Sequence, residues 1–193
     1  MLDSILRTAR KRVSFAAIVG APLLLSAAAH AGTAQDVEQA KALLEAGRVV
    51  EARAVLIEAR STADDRTRER VFELLATADE RIRHMGEIEL ALQEAQLALD
   101  HGNLRKADMH ATSVLRSKSA TQAEKASASA LLDASAALRD ELAPMIEPAL
   151  EQAVRDYEDG RYAEAKAGFA SVSRSGVRLS PEQSMTLRRH QTR

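Results

Sequence analysis

With no cysteine in the sequence, the first residues to weigh for chemistry are five histidines and a set of carboxylates. That absence excludes thiolate nucleophiles, disulfides and a bacterial lipid anchor on cysteine. The histidines, His30, His84, His101, His110 and His190, never fall at metal-ligand spacing. His101 and His110 flank one turn and invite comparison with a metal pair. A histidine near a helix C-terminus, however, is already accounted for by its favourable contact with the helix dipole. No glycine-rich phosphate loop, His-Glu-x-x-His, Gly-x-Ser-x-Gly or calcium loop occurs. The expectation is a non-enzyme with no catalytic, cofactor-binding or metal-binding residue.

The carboxylates are more regular. Glu45, Asp100 and Glu158 each stand two residues before a glycine (Gly47, Gly102 and Gly160), and Asp159 adjoins the last of them. If those glycines end helices, each acid faces the negative end of a helix dipole, at a cost of about 0.3–1 kcal/mol. An unfavourable choice made three times points to an acidic stripe that receives a basic or amine-bearing segment of a partner. The competing explanation is a solvated face in a chain rich in acids.

The elements that would position these acids emerge when the glycines are set in register. Two residues after each stand Val49, Leu104 and Tyr162; five after, Ala52, Ala107 and Ala165. Seven before stand Ala40, Ala95 and Ala153, and nine after, Leu56, Ala111 and Phe169. Glycine in the left-handed conformation stops a helix without steric cost. Alanines at matching heights then let two antiparallel helices approach closely. Each unit therefore reads as helix A, glycine turn, helix B. The wider composition agrees, since aromatics make up only 3% of the residues and no stretch alternates like a strand.

The turns "AGRVVEARAVL", "HGNLRKADMHA" and "DGRYAEAKAGF" resemble the tetratricopeptide repeat over about 25 residues of each unit. That family carries a small residue in helix A, then glycine, a bulky residue, an acid, alanine, and a bulky residue four positions on. Glu51 and Glu164 supply the acid in the first and third copies; Lys106 replaces it in the second, where Ala111 also replaces the bulky residue. The resemblance implies an all-α, right-handed-solenoid-like array of helical hairpins (TPR-like). It also implies that Glu45, Asp100 and Glu158 face a concave, partner-binding side together with Gln96, Leu92, Leu150 and Tyr157. Tyr162 and Phe169 occupy packing columns, which predicts core positions for both, whereas Tyr157 is a candidate for partner contact.

One departure from that family is the period. Its units recur every 34 residues, whereas these glycines are separated by 55 and 58 positions. The surplus predicts a third helix, C, in "TADDRTRERVFELLATADERIRH" and in "SATQAEKASASALLDASAALRDEL", where Thr121 and Glu124 have capping-box spacing. A third copy begins at "SPEQSMTLRRHQTR", with Ser180 and Gln183 as its capping box and Pro181 at the favoured first position. Pro144 and Pro148 are expected to break the second C helix from the third A helix, and Gly86 marks the corresponding earlier junction. The units run over about 35–85, 86–143 and 144–193. The last is short for a capped array, which leaves three alternatives: a fraying end, an end that docks on a partner, or the front part of a longer protein.

Residues 1–31 read as a secretory signal: Arg7, Arg10, Lys11 and Arg12 precede the apolar run "VSFAAIVGAPLLLSAAA", and "AHA" predicts cleavage before Gly32. The segment removes four of the 27 basic and one of the 28 acidic residues, leaving 23 against 27, a net of −4. A mildly acidic exported chain is a poor nucleic-acid binder, because that binding rests on phosphate neutralisation. The expectation is a periplasmic protein of a bacterium with two membranes, with no stable membrane insertion after cleavage and with other proteins as partners. Beginning straight after a signal, these repeats are also similar to the amino-terminal repeat region of bacterial outer-membrane secretins. That resemblance implies a scaffold within an envelope secretion or assembly machine. The alternative is a periplasmic chaperone or cell-wall assembly accessory protein.

Overall fold

A computed structural model describes residues 28–191. The described residues form eight helices and no strand: α1 (Ala28–Glu45), α2 (Val49–Thr62), α3 (Asp65–His84), α4 (Glu87–Asp100), α5 (Leu104–Arg116), α6 (Gln122–Glu158), α7 (Tyr162–Arg174) and α8 (Pro181–Gln191). Within each of two compact units, helices adjacent in sequence pack on one another. The first unit ends at His84 and the second begins at Met85.

Three of the connections share one geometry. Gly47, Gly102 and Gly160 have φ of +75°, +66° and +77°, a region that costs other residues about 1–2 kcal/mol. The residue after each glycine donates its N–H five residues back: Arg48 to Leu43, Asn103 to Ala98 and Arg161 to Asp156, each at 2.8 Å. Each glycine N–H donates three back, to Leu44, Leu99 and Tyr157. This paired arrangement satisfies carbonyls that a helix end otherwise leaves open.

In the first unit, α1 and α2 close over Val37, Ala40, Leu56 and Ala59, and α3 adds Val71 and Leu75. Arg81 of α3 donates to the Leu44 carbonyl at 2.7 Å, so the third helix helps terminate the first. The Asp64 carboxylate caps α3 by accepting the Thr67 N–H at 2.8 Å. The sequence places the expected signal-cleavage point between Ala31 and Gly32, inside α1. The rest of the expected signal, residues 1–27, lies outside the described residues.

In the second unit, α4 and α5 pair through Ala95, Ala111 and Val114, with Ala128 from α6. Leu104 is fully buried beside Ala98, Leu99 and Ala107, under Leu131, Ala134 and Leu138 of α6. A separate cluster joins Ile146, Leu150 and Ala153 of α6 to Ala165, Phe169 and Val172 of α7 and Leu187 of α8. Both capping boxes in this unit form. Thr121 and Glu124 exchange bonds at the start of α6, and Ser180 and Gln183 do so at the start of α8.

Three expectations are corrected here. Pro144 and Pro148 do not break a helix; α6 runs through both as one 37-residue element. Each proline lacks an N–H and crowds the carbonyl four residues back. The affected carbonyls belong to Asp140 and Pro144, both exposed residues, where an unpaired carbonyl costs less than in a buried helix. Packing on either side, through Leu138 and Leu142 and then Ile146 and Leu150, holds the helical path. Leu150 is core rather than a partner-facing residue. Tyr162 is 64% exposed although Val49 and Leu104 in the same column are buried. Its ring meets the edge of Tyr157 at 5.4 Å, a surface contact that suits a large side chain with a polar end.

The helices α6 and α7 approach closely at Gly168, where an added Cβ would lie 2.8 Å from the Ala153 Cβ and 3.6 Å from its Cα. Gly168→Ala gains about 1 kcal/mol of helix propensity but incurs overpacking of about 1–3 kcal/mol against a methyl that cannot rotate away. The expected result is a net loss of about 1 kcal/mol in urea unfolding. Gly86→Ala is the control, since its Cβ would meet nothing within 4 Å.

Candidate functional site

The acids proposed as a stripe lie at the ends of α1, α4 and α6, and Glu45, Asp100 and Glu158 are all exposed. Each is the last residue of its helix, because the positive-φ glycine two positions on ends the helical path. Glu45 belongs to the first unit, while Asp100 and Glu158 belong to the second. Gln96, one turn before Asp100, donates its side-chain N–H to the Asp100 carboxylate at 2.9 Å. Tyr157 is half-buried and packs against the α6–α7–α8 cluster. Its ring also meets His190 at 4.6 Å, and His190 stacks on Phe169 at 5.1 Å with planes 8° apart. Tyr157 is therefore committed largely to internal contacts.

The other repeat positions line the hairpins. Ala40, Ala52, Ala95, Ala107, Ala153 and Ala165 are all buried, as are Val49, Leu56, Leu104, Ala111 and Phe169. Gly47, Gly102 and Gly160 sit at the positive-φ turns.

Three polar constellations escaped the sequence reading, because each joins residues that only the fold brings together or hides. The first is in the third turn. Asp156 is 9% exposed and accepts from Arg161 Nη2 at 2.6 Å, Arg161 Nε at 3.2 Å and Gln152 Nε2 at 2.8 Å. The Asp156 and Arg161 side chains belong to residues whose backbones also close this turn, where an apolar contact is the common companion. The signal available in sequence was an acid and an arginine five apart across a glycine. The Arg161 guanidinium, followed by Gln152, holds the Asp156 carboxyl below its ordinary 3.8 against the opposing effect of burial.

A carboxyl with a lowered folded pKa contributes stability that is complete above its unfolded value and is lost as pH falls through the folded one. Arg161→Met is therefore expected to flatten the loss of stability between roughly pH 5 and pH 2 relative to the parent. Urea unfolding across that window checks it, and an unchanged acid limb contradicts it.

The second constellation links α5 to α6. Asp108 pairs with Arg139, whose Nη2 also donates to the fully buried Ser135 Oγ at 3.2 Å. The third links α4 to α5, where His110 Nδ1 lies 3.0 Å from Glu94 Oε2. His101 instead ends α4, its backbone N–H donating to Leu97 and Leu99. Among the described residues, no group of three or more His, Cys, Asp and Glu is placed to hold a metal ion. Among them also, no helix is long and apolar enough to cross a membrane.

What these surfaces offer is side chains held in fixed register on short hairpins. Several are large and apolar yet exposed: Phe72, Met109, Met145, Tyr162 and Met185. No family model, curated protein or solved structure matches the chain.

Proposed function

We propose that this protein is an exported, TPR-like helical-repeat scaffold that holds another protein, working in the periplasm within a secretion or assembly machine of the cell envelope. The observation that supports the reading is the glycine-closed hairpin built three times with the same backbone bonds and the same buried alanine columns. Repeats of this kind present a rigid array of exposed side chains. The amino-terminal pattern supports export, with cleavage before Gly32. The acids that end α1 in the first unit and α4 and α6 in the second are each proposed to meet basic groups of the partner.

The experiment is affinity isolation of the tagged mature protein from an envelope fraction at several salt concentrations, with Glu45→Ala, Asp100→Ala and Glu158→Ala combined as the variant. One dominant partner, retained less well by the variant and at higher salt, is expected, in line with exposed charge contacts. Retention that ignores both salt and the triple change removes the acidic stripe from the account. A second reading, a periplasmic chaperone or cell-wall assembly accessory, draws on exposed Met109, Met145 and Met185, since methionine adapts to varied apolar clients. Many weakly held clients in the same isolation favour it.

A further inference from the structure

The outward face of α5 differs in its side chains from its counterparts in the other two hairpins. Arg105, Met109, Thr112 and Arg116 fall at intervals of four, three and four, which places them on one stripe opposite the buried Leu104, Ala107, Ala111 and Val114. In register with these four stand Val50, Ala54, Ile57 and Ser61 on α2, and Ala163, Ala167, Ala170 and Arg174 on α7. The hairpin thus closes equally well with small residues at the position of Met109. Met109 is nonetheless 58% exposed and lies with Arg105, Thr112, Ser113 and Arg116 along a shallow groove.

The charges on this face are open. Asp108, which also lines the groove, is taken by Arg139 of α6. Arg105 and Arg116, with Lys106 and Lys118 beside them, form no ion pair with any described residue. In a chain whose formal net charge is −1, this is a local basic face with an apolar centre. Arg105 and Arg116 stand eleven residues apart, about 16 Å along the helix at 1.5 Å per residue.

We propose that this face of α5 docks an acidic amphipathic helix of a partner protein, with a large apolar side chain against Met109 and carboxylates spaced about 16 Å apart meeting Arg105 and Arg116. The proposal rests on the scaffold reading and assigns that scaffold a second surface, opposite in sign to the acidic helix ends. A nucleic acid is the less suitable occupant. The apolar centre would face phosphates; α5 carries no Phe, Tyr or Trp, and its His110 ring is largely buried against Glu94.

The test uses the purified protein and defined probes, so it stands apart from whether a cellular partner is isolated. A fluorescent helical peptide carrying glutamates eleven residues apart around a central leucine is titrated by anisotropy. A twin peptide with lysines for the glutamates and a single-stranded oligonucleotide serve as comparators. Binding of the glutamate peptide is expected, weakened roughly tenfold by Met109→Ala and by raised salt. Arg105→Glu with Arg116→Glu is expected to reverse the preference toward the lysine peptide, a readout that mere misfolding does not produce. Failure of the glutamate peptide to bind overturns the proposal. So do equal binding of both peptides, tighter binding of the oligonucleotide, or a charge-reversed variant with unchanged preference.

Discussion

Replacing Pro144 and Pro148 together by alanine is expected to stabilise the second unit by about 3 kcal/mol. A proline inside a helix costs about 3 kcal/mol relative to alanine, and α6 contains two of them within one continuous element. The gain falls short of twice that figure for two reasons. Alanine restores freedom to the unfolded chain, at about 0.4–1 kcal/mol per site. The carbonyls of Asp140 and Pro144 also belong to exposed residues, where an unpaired carbonyl costs less than in a buried helix. The double variant should show a higher urea midpoint with an unchanged slope. A helix that ended near Pro144 would give the opposite result: the substitutions would leave stability unchanged or lower it by loosening a boundary.

The second large effect separates two residues that the sequence treats as equivalent. Leu104 and Tyr162 occupy the same column, two residues past their glycines. Leu104 is fully enclosed by Leu99, Ala107, Leu131 and Leu138, whereas Tyr162 is mostly exposed. Leu104→Ala removes buried methyl groups and leaves a cavity, at about 3 kcal/mol within the usual 2–5 for such a change. Tyr162→Ala gives up a ring edge contact with Tyr157, about 1 kcal/mol. Comparable losses at the two sites would contradict the packing described for the third turn.

This contrast shows where the sequence was legible. Local geometry read well: a glycine that must adopt positive φ, alanines that must lie between close helices, and the Thr121–Glu124 and Ser180–Gln183 caps all follow from rules within a few residues. The continuity of α6 was not legible, because proline weighs against a helix locally while the cores formed by Leu138, Leu142, Ile146 and Leu150 act over distance. Tyr162 was misplaced because a column records position in a repeat and not the room available there. The Asp108–Arg139 and Glu94–His110 contacts join residues 31 and 16 positions apart in number, across helices whose facing sides only the fold decides. The acids at the helix ends were legible as positions and as charges.

The account's central claim, that the hairpins hold a partner protein on defined faces, is tested most directly by site-specific photocrosslinking in the cell envelope. A photoreactive residue is placed in turn at Glu45, Asp100, Glu158 and Met109, and, as exposed controls, at Glu69 and Asp133. The products are identified by mass spectrometry. The account predicts a discrete high-mass product containing the same partner from several of the proposed positions, and none from the controls. Crosslinks spread evenly over proposed and control positions, or no protein product from any of the proposed ones, would contradict it.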